Sequence, residues 1–225
     1  MIVGIIPARA NSKGLPNKNI LHLGGKPLIQ HTFESAKESR LLDHILLTTD
    51  MPEAMDLARD LGGIEVPFTR PKHLCSDSAS VVDVVAHVLD FLKARGDEVK
   101  GFVILQPTSP FSTAREIDKG IDILLKGTNS VLGVCEVMNH PADYVIKNKK
   151  GKLEFLMPRY KGKQRQEFPN VYFNNGSFYA CRVEFFNNEN VFYDENTVLL
   201  IMNRKTIIDI DESFDLKIAE SLLKS

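Results

Sequence analysis

The chain has 225 residues, enough to bury about 70% of its unfolded surface, so one large domain with at most a small appendage is expected. Its 28 Lys or Arg against 29 Asp or Glu leave a net charge of −1, which gives neither a nucleic acid nor a membrane surface anything to attract. Cys75, Cys135 and Cys181 are odd in number and widely spaced, no leader is read at the N-terminus, and no apolar run approaches the ~18 residues of a membrane span; free thiols in a soluble, cytoplasmic protein are expected.

Ile2, Val3, Ile5 and Ile6 predict a first strand buried on both faces and stopped at Pro7. The loop that follows, up to Asn19, carries Arg9, Lys13 and Lys18 among Asn11, Ser12, Gly14, Asn17 and Asn19. Small residues let backbone N–H groups converge on an anion and the cations neutralise it, so the loop reads as a polyphosphate cradle at the carboxyl end of a strand. Read locally, the same residues also make a solvated, turn-forming loop.

A turn at Leu23-Gly24-Gly25-Lys26-Pro27 precedes a helix with Ile29, Thr32, Phe33 and Ala36 inward. Residues 44–48 predict a second buried strand ending at Thr49-Asp50, followed by a helix begun at Pro52, with Ala54, Leu57, Ala58 and Leu61 inward and Gly62-Gly63 closing it. A short strand is expected over residues 65–68, then Arg70-Pro71, the polar loop 75–80, and a helix over 80–94 with Val81, Val84, Val85, Val88 and Leu92 inward. The strand at 102–105 ends in Gln106-Pro107-Thr108-Ser109-Pro110; a helix with Ile117, Ile121, Leu124 and Leu125 inward and a strand over 130–137 follow. Strands alternating with helices at this interval predict a three-layer αβα domain with a mostly parallel sheet, its ligand outside the carboxyl ends of the strands.

From about residue 139 to 172 the periodicity fades and Lys147, Lys149, Lys150, Lys152, Lys161, Lys163 and Arg165 accumulate. Tyr144, Val145, Ile146, Leu153, Phe155, Leu156 and Met157 are too apolar for a free linker, so a β-hairpin arm about Lys149-Lys150-Gly151, packed on another subunit, is expected within a single domain spanning residues 1–225. Strands over 171–179 and 197–202 and a helix with Leu216, Ala219, Leu222 and Leu223 inward complete the chain.

Ahead of that helix lies Ile207-Ile208-Asp209-Ile210-Asp211. In extended backbone, residues two apart share a side, so Asp209 and Asp211 present two carboxylates while Ile208 and Ile210 face the core. Their repulsion is relieved by a cation, and Mg²⁺, which takes one or two carboxylates and completes its shell with phosphate oxygens and water, is the natural choice. The alternative makes Asp211 a helix-capping acid. Gln106, Thr108 and Ser109 offer uncharged donors and acceptors suited to a base or sugar, and Arg70 a cation or a donor fork. The six histidines show no metal-ligand spacing, and Walker A, GxGxxG and serine-elbow patterns are absent.

Taken together, IIPARANSKGLPNKN, GGKPLIQHT, Thr48-Thr49-Asp50, RPKHLCSDSAS at 70–80, LQPTSP at 105–110 and IDIDESFDLKIAE at 208–220 resemble the acylneuraminate cytidylyltransferases, or CMP-sialic acid synthetases. The resemblance implies a Rossmann-like, GT-A-like nucleotidyltransferase domain with a dimerisation arm. It implies transfer of CMP from CTP to the anomeric hydroxyl of a nine-carbon 2-keto sugar acid, with Mg²⁺ as cofactor and a homodimer exchanging arms.

By motif, Arg9, Asn11, Ser12, Lys13, Gly14, Lys18 and Asn19 are expected to hold the triphosphate, and Arg70, Ser78, Gln106, Thr108 and Ser109 to surround the cytidine or the sugar. Asp209 and Asp211 match the metal carboxylates, and Arg9 and Lys18 join them as the catalytic set. Arg165, Asn175, Gly176 and Tyr179 match sugar-facing positions, Arg165 acting across the dimer. No side chain is an obvious general base. Phe173 and Asp143 stand near places where some sialic-acid-specific members carry an arginine and a lysine, which leaves legionaminic, pseudaminic or other nonulosonic acids open as the sugar, with Kdo cytidylyltransferases as the rival family and a non-catalytic nucleotide-binding module on the same fold as the rival of another class.

Overall fold

The computed structural model describes residues 1–10, 14–76 and 78–224. Strand β1 (Ile2–Ala8) is followed by the first loop and by a small turn of β2 (His22–Leu23) and β3 (Lys26–Pro27), which feeds α1 (Leu28–Glu38). Then come β4 (His44–Thr49), α2 (Pro52–Leu61), α3 (Val81–Arg95), β5 (Gly101–Leu105), α4 (Ala114–Leu125) and β6 (Ser130–Glu136). The second half holds β7 (Val145–Lys147), β8 (Leu153–Phe155), β9 (Tyr172–Arg182), α5 (Val183–Glu189), β10 (Val198–Ile201) and α6 (Ser213–Leu223).

Six strands form one sheet in the order β10-β6-β9-β5-β1-β4. β4, β1 and β5 are mutually parallel, as are β6 and β10, while β9 runs antiparallel between β5 and β6. One face packs Ile6, Leu47 and Phe178 against α1, α2 and α4; the other packs Val3, Ile5 and Ile104 against α3 and α5. This is the three-layer αβα arrangement that the alternation of elements predicts. Phe178 enters its layer only because α4 and β6 carry glycines there: a Cβ on Gly120 would stand 2.2 Å from the Phe178 ring and one on Gly133 2.8 Å from its Cβ. A smaller cluster of Leu23, Leu28, Ile210 and Ala219 binds α6 to the β2–β3 turn.

Helix ends follow local chemistry. Ser80 caps α3 by accepting from the Asp83 N–H at 3.0 Å, and Thr113 and Glu116 form a reciprocal capping box on α4. Three inward assignments fail near helix ends, where the apolar stripe runs past the core: Val81, Leu125 and Leu223 are exposed. The strand expected over 65–68 is reduced to isolated bridges of Glu65 to Leu46 and Thr69 to Thr49, because Pro67 has no N–H to give a ladder.

The arm is a hairpin. β7 and β8 pair antiparallel, Val145 opposite Phe155, around a turn with Gly151 at φ 74° and Asn148 Oδ1 accepting the N–H groups of Lys150 and Lys152. Tyr144, Val145, Ile146, Leu153 and Leu156 of this arm are exposed.

Candidate functional site

Because β1, β4 and β5 are parallel, their carboxyl ends lie together, and a cleft of about 580 Å³ opens there. Arg9, Gly14, Lys18, Asn19, Arg70, Gln106, Thr108 and Asp211 all line it. The first loop is strung from the strand ends: the Ala10 N–H donates to Asp50 Oδ1 at 2.8 Å, and the buried Asn19 donates its Nδ2 to the Arg9 carbonyl at 3.2 Å. Asn11, Ser12 and Lys13 lie outside the described residues.

Arg70 is 4% exposed. Its Nε donates to Thr48 Oγ1 at 3.2 Å and its Nη2 to the Thr48 carbonyl; among the described residues no carboxylate lies within ion-pair distance of it. Burial pulls the guanidinium below its ordinary pKa, Cys75 and Asp50 oppose this, and the charge of Arg9 adds to it. A desolvated cation beside a second cation is an arrangement that an entering anion stabilises.

The acidic segment enters from the far end of the chain. Ile210 is fully buried and donates its N–H to the Thr108 carbonyl at 2.9 Å, so Asp209 and Asp211 flank an anchored residue as their alternation predicts. Asp211 accepts from Lys18 Nζ at 2.5 Å and faces the main cleft. Asp209 lines an adjoining cavity of about 190 Å³ with Phe173, Asn174, Gly176 and Asp215. Its carboxyl is raised above the ordinary aspartate value, first by desolvation and then by the charges of Asp211 and Asp215, against a hydrogen bond from Thr108 and the charge of Lys18. Asp211 does not cap α6; Glu212 and Asp215 form that box, Asp215 Oδ2 accepting the N–H groups of Asp211 at 3.1 Å and Glu212 at 2.8 Å.

Other expected site residues fall elsewhere. Ser78 is exposed and pairs with Ser76, which lines the cleft in its place. The Asn175 side chain turns inward, not toward a sugar: it is 1% exposed, donates to Thr206 Oγ1 at 2.8 Å and accepts from Ser177 Oγ at 2.7 Å. Ser109 Oγ is buried without a protein partner among the described residues. Gly176, at φ 69°, sits beside Asp209, and Tyr179 donates its hydroxyl to Asn174 Oδ1 at 3.4 Å and stacks on Tyr193. Burial raises the Tyr179 phenol above its ordinary value. Arg165 lines a separate cavity with His140, Phe168 and Tyr172 at the base of the arm.

Asp50 lies at the strand end where the pattern puts the ligand, but its hold on the loop at Ala10 is visible only in the structure, and Asp215, Ser76 and Glu212 carry no site assignment in the sequence. A signal existed for Asp215: an acid three residues after Glu212, ahead of an apolar run, is the spacing of a capping box.

Among the described residues no cluster of three or more His, Cys, Asp or Glu is gathered for a metal. The donors present are the hard oxygens of Asp209 and Asp211, a set that fits an ion drawing its other ligands from phosphate and water. No helix of the described residues is long and apolar enough to cross a membrane.

The sheet order and the cation-lined cleft at its carboxyl edge define a Rossmann-like α/β domain with a polar ligand site. Residues 3–214 match the cytidylyltransferase family, and the chain belongs to it. It is 32% identical over 214 residues to the N-acylneuraminate cytidylyltransferase of Streptococcus agalactiae serotype III (strain NEM316), covering 94% of this chain and 50% of that protein. It is 32% identical over 227 residues to the CMP-N,N'-diacetyllegionaminic acid synthase of Legionella pneumophila subsp. pneumophila (strain Philadelphia 1), covering 99% and 96%. The chain thus spans about half the length of the streptococcal relatives and nearly all of the Legionella one. The solved CMP:2-keto-3-deoxy-manno-octonic acid synthetase complexed with CTP shares the fold, with a TM-score of 0.72, 19% identity, and coverage of 99% of this chain and 98% of that one.

Proposed function

We propose that this chain transfers CMP from CTP to the anomeric hydroxyl of a nonulosonic, sialic-acid-like sugar acid and releases pyrophosphate. The observation that carries this is the buried, carboxylate-free Arg70 beside Arg9, opening with Lys18 into one cleft with the uncharged Gln106 and Thr108. Three cations match a triphosphate; an amide and a hydroxyl match a base or sugar edge. The names of the relatives, on N-acylneuraminate and diacetyllegionaminic acid, support the same substrate class.

Attack on the α-phosphate needs charge neutralised on the phosphoryl oxygens and on departing pyrophosphate, and a positioned hydroxyl. Arg9, Lys18 and Arg70 supply the charge, and Asn19 and Asp50 fix the loop that carries Arg9. Thr108 joins the two ends of the site, its carbonyl accepting the Ile210 N–H between the two aspartates. Asp209 and Asp211 would hold Mg²⁺, which when bound neutralises developing charge on the phosphoryl oxygens. The cavity beside Asp209, walled by Phe173, Asn174 and Gly176, is the natural place for the sugar acid.

We propose further that the arm pairs two copies. Residues 139–172 hold eight Lys or Arg against three Asp or Glu in a chain of net charge −1, so the remainder of a second copy is complementary to it, and Arg165 would then serve the partner's site. Free thiols and a need for CTP suit the reducing cytoplasm.

The test is pyrophosphate release with CTP, Mg²⁺ and a panel of nonulosonic acids and Kdo, with ATP, GTP and UTP as controls. Turnover with CTP and a nonulosonic acid is expected; activity only with UTP or with hexose phosphates overturns the assignment. For the arm, mixing Arg165→Ala chains with Asp209→Ala chains restores part of the lost activity if sites are shared, and restores none if they are not.

A further inference from the structure

At the mouth of the cleft is an ion pair that a bound nucleotide and a bound cation would each have to break. Lys18 Nζ lies 2.5 Å from Asp211 Oδ1, with the lysine side chain 17% and the aspartate side chain 64% exposed. We infer that Lys18 masks Asp211 until a nucleotide enters, so that divalent-cation binding at Asp209 and Asp211 is conditional on nucleotide. This rests on the metal reading of those two carboxylates given above.

The backbone on both sides of the pair is fixed. The Asp211 N–H is held by Asp215 Oδ2 at 3.1 Å, its carbonyl oxygen is packed against Gly14, and the preceding Ile210 N–H is tied to Thr108 at 2.9 Å. Lys18 begins a short 3-10 turn (Lys18–Ile20) whose position is set by Asn19, buried beneath it and bonded to the Arg9 carbonyl. With this backbone held, the pairing of the two side chains can change without moving either segment.

An ammonium at hydrogen-bond distance and a divalent ion compete for the same carboxylate oxygens and repel each other at contact range. The neighbouring charges leave few substitutes. Of the other groups lining the cleft, Arg70 is engaged with Thr48 and Glu212 adds negative charge, while Asp215, in the cavity beside Asp209, is spent on backbone N–H groups. A triphosphate entering the cleft offers Lys18 a second anion; transfer of the ammonium to phosphate frees Asp211 in the same event. By linkage the nucleotide raises cation affinity and the cation raises nucleotide affinity equally, beyond any metal already chelated by the nucleotide. Lys18 is in this sense a positioning residue for the metal as well as a phosphate ligand.

The test uses Mn²⁺ alone as probe, counting free ion by its paramagnetic resonance in nucleotide-free protein. Wild type, Lys18→Met, Lys18→Arg and the double variant Lys18→Met/Asp211→Asn are compared, each shown to be folded by its melting curve. Lys18→Met is expected to bind Mn²⁺ about tenfold tighter than wild type or better, from removal of a unit charge at contact range. Lys18→Arg stays as weak as wild type, and the double variant loses the gain. Equal affinity of wild type and Lys18→Met, or a gain that survives in the double variant, overturns the inference while leaving the metal reading in place. No Mn²⁺ binding by any variant, together with turnover indifferent to EDTA, overturns the metal reading and the inference with it.

Discussion

A Cβ placed on Gly14 would stand 2.1 Å from the carbonyl oxygen of Asp211, so the loop after the first strand and the acidic segment before the last helix meet backbone to backbone. Gly14 is therefore a spacer between the cationic and acidic walls of the cleft. In Gly14→Ala one wall must retreat by more than an ångström, because a backbone carbonyl cannot rotate out of the way as a side-chain tip can. Overpacking of this kind costs about 1–3 kcal/mol. The catalytic loss should be larger: displacement of positioned groups by ~1 Å can cost about 100-fold. Urea unfolding and pyrophosphate-release kinetics measure the two separately, and a Gly14→Ala protein with unimpaired kcat/KM would show that the contact does not set the cleft.

Arg70 should trade stability for binding. In the nucleotide-free protein it is a desolvated guanidinium near Arg9 with only Thr48 as hydrogen-bond partner among the described residues. Replacing a buried charge that lacks a counter-charge by an apolar side chain of similar length is often neutral or stabilising. Arg70→Met is thus expected to melt at or above the wild-type temperature and to bind CTP at least about tenfold more weakly, as loss of a charge-assisted contact predicts. Arg70→Lys should not restore affinity, since an ammonium cannot bridge Thr48 and a phosphate with one planar fork. Thermal melts with and without CTP decide it: a marked fall in melting temperature without nucleotide would mean that Arg70 is chiefly a structural residue.

The sequence could be read where one periodicity governs. The apolar run of β1, the helix stripes and the alternation about Ile210 each follow from local geometry; the strand and the burial of Ile210 hold, and the stripes hold except at helix ends, where Val81, Leu125 and Leu223 are exposed. Reading fails where a second chain segment decides. Asn175 turns inward because β9 shifts register against β6 between Leu132 and Val134, which breaks strict alternation beside Gly176. The pairing of Lys18 with Asp211 depends on tertiary closure between opposite ends of the chain. Arg165 lies in its own cavity at the base of the arm, and its part in the proposed chemistry depends on a second copy that one chain's pattern does not contain.

Of the three thiols, Cys75 is partly exposed, Cys135 and Cys181 buried. Burial pushes Cys181 up to about 12 and also raises Cys135, so neither forms thiolate readily. Cys75 is raised above 9.0 by burial and by Asp50, with Arg70 and Arg9 opposing. Its thiolate is scarce at neutral pH and grows as pH rises past its own value, so alkylation should be slow near neutrality, accelerate in alkali and fall on Cys75 alone. CTP should protect it, because Cys75 Sγ reaches the Arg70 carbonyl at the edge of the cleft. Peptide mapping after iodoacetamide treatment checks this; labelling of Cys75 at the same rate with saturating CTP would argue that nucleotide does not cover this edge.

His31 should make the fold sensitive to mild acid. Its Nε2 lies 3.0 Å from the Leu23 carbonyl, which can only accept, so that nitrogen carries the hydrogen and ties α1 to the β2–β3 turn. Burial first, and the charge of Lys26 second, hold the imidazole below its ordinary 6.5, against the hydrogen bond to Leu23 and the charge of Glu34. The unfolded chain therefore takes up the proton before the folded one. Stability from this group is complete above the unfolded value and declines as pH falls below 6.5 toward the folded value, where the loss ends. His87, lowered by burial next to the Phe68 ring, contributes with the same sign. His31→Gln keeps an N–H donor for Leu23 and cannot titrate, so its melting temperature should fall less steeply with acid than that of wild type. Parallel curves for the two proteins would show that the acid sensitivity lies in other groups.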